Sequence, residues 1–243
     1  MRSIVFELKI VTPLFMGNAT FASEIRTQSI NGVIRHWFRL LGGDPEKEVK
    51  LFGNTFSKGN VFIRINSEKL TPINKQISVN NYVSFPIKKR SYIPTELNGL
   101  KSTNFTITFL FHPRLNEEEI KQFLCAFWCS LYLGNFGSRS TRGFGSLICT
   151  NQPNFESLVK NFCLSFEINE DTSQWYKQQI DYIKNINKWE RVKNLPFVFE
   201  DLEIYLLSEN FSNYEEAINR MSSLMQKYRK KYNPDYKYIR ILF

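Results

Sequence analysis

The sequence predicts an α+β protein. A ferredoxin-like βαββαβ domain with insertions spans residues 1–150, and a mainly helical part spans 151–243. Three observations predict it. Apolar spacings follow the order strand, helix, strand, strand, helix, strand as far as residue 150. After Pro153 the spacing becomes helical. The 243 residues are 42% hydrophobic and 15% aromatic with 22 Phe, so a sizeable core is available.

The elements follow in chain order. Residues 4–11 (IVFELKIV) alternate as a strand with one buried face and end at Thr12-Pro13, before a loop around Gly17. Between residues 29 and 41, Ile30, Val33, Ile34, Trp37, Phe38 and Leu41 recur at helical spacing. Ser29 or Thr27 is the expected cap of that helix, and Gly42-Gly43 its stop. Residues 60–66 read as a second strand, and 67–103 as a polar insertion. Residues 104–111 (NFTITFLF) are a strand rich in Phe, Thr and Ile. Asn116 followed by Glu117, Glu118 and Glu119 is a helix start, with carboxylates at the positive end of the dipole. That helix buries Ile120, Phe123, Leu124, Phe127, Trp128 and Leu131 and ends at Gly134. A glycine-rich loop leads to a short strand at 146–150. Helices are predicted over 173–189 and 213–231.

Charge narrows the function. The net charge is +9, and residues 1–150 hold all of it: 19 Lys+Arg against 10 Asp+Glu, with 13 of each in 151–243. Lysines and arginines that neutralise phosphates release counterions, so such an excess points to a polyanion. No apolar run approaches the roughly 18 residues of a membrane span. Residues 1–8 carry no signal-peptide core, and the four cysteines form no CxxC pair. The expectation is a cytoplasmic protein with reduced thiols, no metal site and no cofactor. Cys125 and Cys129 sit on an apolar stretch and read as buried thiols. HExxH, zinc-quartet, triad and nucleotide-binding patterns are all missing from the sequence, and no catalytic residue is assigned.

Four constellations remain. The loop 134–146 (GNFGSRSTRGFGS) gathers four of the eleven glycines with Arg139 and Arg142. Glycines let main chain approach a ligand closely, so the loop reads as a phosphate cradle, against a plain flexible turn. Arg26 leads into the first helix, whose exposed face carries Asn31, Arg35 and Arg39 at spacing four. These bind phosphate, form a solvated face or pair with nearby carboxylates. His36 on the same helix is either a general base or a packing residue. Lys88, Lys89 and Arg90 stand among Tyr82, Phe85 and Tyr92, which suits single-stranded RNA or a solvated loop. The basic residues 227–240 fit a helix C-terminus.

Three stretches carry a resemblance: residues 6–17 (FELKIVTPLFMG), 24–41 (EIRTQSINGVIRHWFRLL) with Leu51-Phe52-Gly53, and 134–147 (GNFGSRSTRGFGSL). Together they resemble the RAMP superfamily of CRISPR proteins, most of all the family of the first subunit of the Cmr (type III-B) effector complex. The resemblance covers residues 1–150. It implies an RRM-like fold that holds guide RNA and target RNA near the guide's 3′ portion, beside other RAMP subunits, without cleaving target. Its binding positions fall on Gly17, Arg26, Arg35, Trp37, Arg39, Arg139, Arg142, Gly143 and Phe144. The rival expectations are a metal-independent guide-trimming endoribonuclease using His36 and a structural assembly subunit.

Overall fold

Alternation along β1 (Arg2–Ile10) sets the layers: Ile4, Phe6, Leu8 and Ile10 are buried, while Val5, Glu7 and Lys9 face outward. The computed structural model describes residues 1–17, 24–67, 104–186, 189, 202, 204, 206 and 209–231. β2 (Val61–Asn66), β3 (Asn104–Phe111) and β4 (Leu147–Cys149) complete a four-stranded sheet in the order β2-β3-β1-β4, antiparallel at every step. Arg2 pairs with Phe111 at one end of β1 and Ile10 with Leu147 at the other. Those ends lie about 26 Å apart at the usual strand rise.

Helices α1 (Thr27–Leu40), α2 (Pro45–Phe52) and α3 (Glu117–Tyr132) bury their apolar residues in the same core as that sheet face. The cap expected from Thr27 or Ser29 is corrected. Arg26 is the N-cap and its side chain makes no cap bond, so Thr27 and Ser29 lie inside the first turn. The chain entry is fixed instead from residue 16: Met16 O accepts from Glu24 N (3.0 Å) and Met16 Sδ from Arg26 N (3.1 Å). Helix α2 is an addition to the predicted order. Asp44 Oδ1 accepts from the Glu46 and Lys47 amides (2.9 Å each), and Pro45 opens the first turn. α3 starts as read, in a capping box between Asn116 and Glu119.

α3 is buried almost all round, Gln122 and Ser130 included. One flank meets the sheet, where Phe127 packs 4.7 Å from Phe109 and 4.8 Å from Phe6. Another meets residues beyond 150. Trp128 Nε1 donates to Ser165 O (2.8 Å), Tyr132 OH donates to Phe166 O, and the Trp175 ring lies tilted 5.3 Å from Trp128. The core is therefore continuous across residue 150. Trp175 lies on α4 (Thr172–Ile186), and α5 (Tyr214–Lys231) follows; both match the helices predicted. Cys125 and Cys129 are buried as read, and desolvation pushes both thiols far above their ordinary pKa. Cys149 is pushed up to about 11, first by burial. Among the described residues no helix is long and apolar enough to cross a membrane, and no group of His, Cys, Asp or Glu is arranged to hold a metal ion.

Candidate nucleic-acid interface

The glycine-rich loop leaves α3 after Leu133 and folds back onto the segment that follows β1. Its two phenylalanines are pins. Phe136 is buried, and Phe144 is fully buried with its ring 5.2 Å from Phe15. Backbone bonds seat the loop: Ser138 N donates to Phe15 O (2.8 Å), Gly145 N to Pro13 O (2.9 Å) and Phe136 N to Gly145 O (2.8 Å). Ser146 N donates to Thr12 Oγ1 (2.9 Å). Between the pins, the tip turns back through Arg142 N donating to Arg139 O (2.8 Å), and Asn135 Nδ2 donates to Ser140 O (2.8 Å). Ser138 and Thr141 are exposed, with Arg139, Ser140 and Arg142 half-buried beside them.

This geometry changes the meaning of the glycines. Gly145 has φ +76°, and a Cβ there would stand 1.7 Å from Phe136 O. Gly137 has φ +78°, and its Cβ would stand 2.6 Å from Phe15 O. Both positions require glycine because the chain approaches itself. The close approach read as one toward a ligand is thus already used in folding the loop. Gly143, also left-handed at φ +83°, is buried. Arg139 holds φ +64°, a conformation non-glycine residues adopt rarely and one that needs its surroundings to enforce it. Phe144, expected among the binding positions, is fully buried, so its ring has no face for a base. Trp37, 4% exposed, is likewise a core residue.

Arg26 joins the same end of the molecule. Its Nη1 donates to Gly17 O (3.4 Å), two residues beyond the Phe15 carbonyl that seats the loop. Gly17, Arg26, Arg139 and Arg142 are thus linked through residues 13–17. Neither 11–17 nor 134–146 contains a carboxylate.

Arg35 and Arg39 stand elsewhere, about 13 and 20 Å farther along α1 at the usual helical rise. Both grip Glu48 of α2. Arg39 Nε donates to Oε2 (2.8 Å) and Arg39 Nη2 to Oε1 (2.6 Å), while Arg35 Nε donates to Oε1. Burial pushes the Glu48 carboxyl up, but hydrogen bonds from Arg39 and Arg35 outweigh it and hold it below the ordinary carboxylate value. The same bond raises Arg39. Of the uses open to these arginines, pairing with a carboxylate is the one present. Glu48 escaped the sequence reading, although Asp44-Pro45-Glu46 is a helix-start pattern that would have revealed α2. His36 is exposed on α1. Lys88, Lys89 and Arg90 lie outside the described residues, as do Tyr82, Phe85 and Tyr92.

Comparisons with known proteins agree with this architecture. A model of the RAMP superfamily matches residues 7–148. The CRISPR system Cmr subunit Cmr1-2 of Pyrococcus furiosus is 32% identical over 177 residues, covering 60% of this chain and 95% of that protein. Cmr1-1 of the same organism is 27% identical over 242 residues, covering 85% and 68%. The apo crystal structure of P. furiosus Cmr1 superposes with a TM-score of 0.66 at 22% identity, over 95% of this chain and 73% of that one. A chain of the type III-B Cmr-β complex bound to cognate target RNA gives 0.52 at 15% identity, over 75% and 62%.

Proposed function

Because this chain belongs to the RAMP superfamily, we propose that it is a non-catalytic, RNA-holding subunit of a cytoplasmic type III-B CRISPR effector complex. In that role it contacts guide RNA and target RNA near the guide's 3′ portion, beside other RAMP subunits. The reading takes support from the two Cmr1 relatives. One observation carries the site: the 13–17 spine gathers Gly17, Arg26 and the glycine-rich tip at one end of the sheet. Arg26, Arg139 and Arg142 then neutralise phosphates, while Gly143 and the pinned phenylalanines hold the tip in place. Residues 1–150 form the RNA-holding unit, and the strand order β2-β3-β1-β4 supports its ferredoxin-like assignment. Arg35 and Arg39 supply a weaker secondary field, reduced by Glu48. Lys88, Lys89 and Arg90, outside the described residues, add three further cations for the RNA backbone.

RNA binding across a salt series tests this. Arg139→Ala with Arg142→Ala is expected to weaken binding for all sequences alike and to lower the slope of log affinity against log salt by about one per lost phosphate contact. An unchanged slope removes the loop from the site. Specific cleavage of guide precursor in EDTA, lost in His36→Ala, would overturn the non-catalytic reading.

A further inference from the structure

At the other end of the sheet one ring stands almost wholly in water. Phe56 is 96% exposed, more than any other large apolar side chain among the described residues. It tips a turn between α2 and β2 that is held by an unusual density of bonds. Asn54 Oδ1 accepts from Phe56 N (2.9 Å), Ser57 N (2.8 Å) and Ser57 Oγ (3.0 Å), and Asn54 N donates to Ser57 O (2.9 Å). Asn60 braces the base of the turn, with N and Nδ2 both donating to Lys50 O (3.0 and 2.8 Å). Asn54, Ser57 and Asn60 account for this geometry. Nothing in it calls for a phenyl ring at residue 56, where a polar side chain would avoid exposing apolar surface.

The two loops at this end carry cations. Residues 53–67 and 104–116 hold Lys58, Arg64 and Arg114 and no carboxylate, and of the acids that follow at 117–119, Glu118 and Glu119 are tied to Lys47 and Lys50 of α2. Lys58 and Arg114 are exposed, and the bond from His112 N to Asn60 O (3.0 Å) brings their two loops together. A protein hot spot sits in an apolar pocket ringed by further contacts. Here the chain neighbours of the ring, Asn54, Thr55, Ser57 and Lys58, are all polar and exposed. A π-face on a braced turn, open to solvent and with the exposed Lys58 two residues on, suits a base in a polyanionic strand.

We infer that Phe56 is a base-stacking point for single-stranded RNA, with Lys58 and Arg114 facing the neighbouring phosphates. It forms a second contact remote from the glycine-rich loop. The inference rests on the RNA-holding reading above.

Stacking on a neutral ring adds affinity without releasing counterions, and this sets its signature. With a fluorescent single-stranded RNA oligonucleotide and the whole chain, Phe56→Ala is expected to bind about tenfold more weakly with an unchanged salt slope. Phe56→Trp restores affinity, and an RNA whose bases are all replaced by abasic sites does not distinguish Phe56→Ala from the parent. Equal affinity of the parent and Phe56→Ala for the normal oligonucleotide overturns the inference and leaves the RNA-holding reading standing. So does a Phe56→Ala variant that binds RNA normally but fails to assemble with partner subunits. A parent chain that binds no RNA at all overturns both.

Discussion

Two sets of arginines in this molecule look alike in sequence and end differently. Arg139 and Arg142 sit on a loop without a carboxylate of its own, seated by phenylalanine pins and backbone bonds. Arg35 and Arg39 sit on a regular helix and converge on one buried carboxylate, Glu48. The difference is made by α2. Its Glu48 lies only nine and thirteen residues beyond Arg39 and Arg35, and it delivers an acid to their helix face. A basic stripe on a helix is therefore not yet a binding site. Its charge is available only after every neighbouring element has been placed.

The largest expected effect is at the loop's anchor. Phe144→Ala is expected to lose about 3–5 kcal/mol of stability, as for other large-to-small core changes, with urea unfolding as the check. If the ring served RNA instead, stability would hold and RNA affinity would fall. A smaller effect is expected at the second arginine set. Glu48→Ala leaves two guanidiniums without their acceptor and costs about 1–2 kcal/mol, the lower end for a broken ion pair because Arg35 and Arg39 keep access to solvent. The same variant adds a net positive charge, so its RNA affinity at low salt should hold or rise. A fall comparable to that of the Arg139/Arg142 double variant would show that the α1–α2 cluster, not the loop, dominates binding. The smallest effect is in pH. The folded state lowers the Glu48 pKa below its ordinary 4.5. The stability this contributes is complete above that ordinary value and is lost as pH falls through the lowered one. Glu48→Gln should therefore flatten the acid limb of the stability curve measured by denaturant titration. A parallel curve would show that the pair contributes no pH dependence.

Much of the framework was legible. β1, β3 and α3 follow from local signals: period-two burial in the strands, and Asn116 with Glu119 at the helix start. What was not legible depends on distant chain. The glycines at 137 and 145 signalled close approach correctly, but only the fold shows that the approach is to Phe15 and Phe136. Thr27 and Ser29 have the chemistry of caps, yet Met16 fixes the entry of α1. The stripe on α3 predicted one buried face. Tyr132, outside that stripe, is buried too, against Trp175 and Phe166, which arrive from beyond residue 160. Phe56 was unmarked because a lone Phe in a sequence gives no hint of exposure.

The burial of α3 on nearly every side also governs how the molecule comes apart. The sheet leans on it through Phe127, and the segment around Ser165 hangs from it through the Trp128 indole. Neither neighbour separates without wetting the same helix, so the sheet and the segment through α4 are expected to melt as one cooperative body, although the chain between them carries a change of pattern at residue 150.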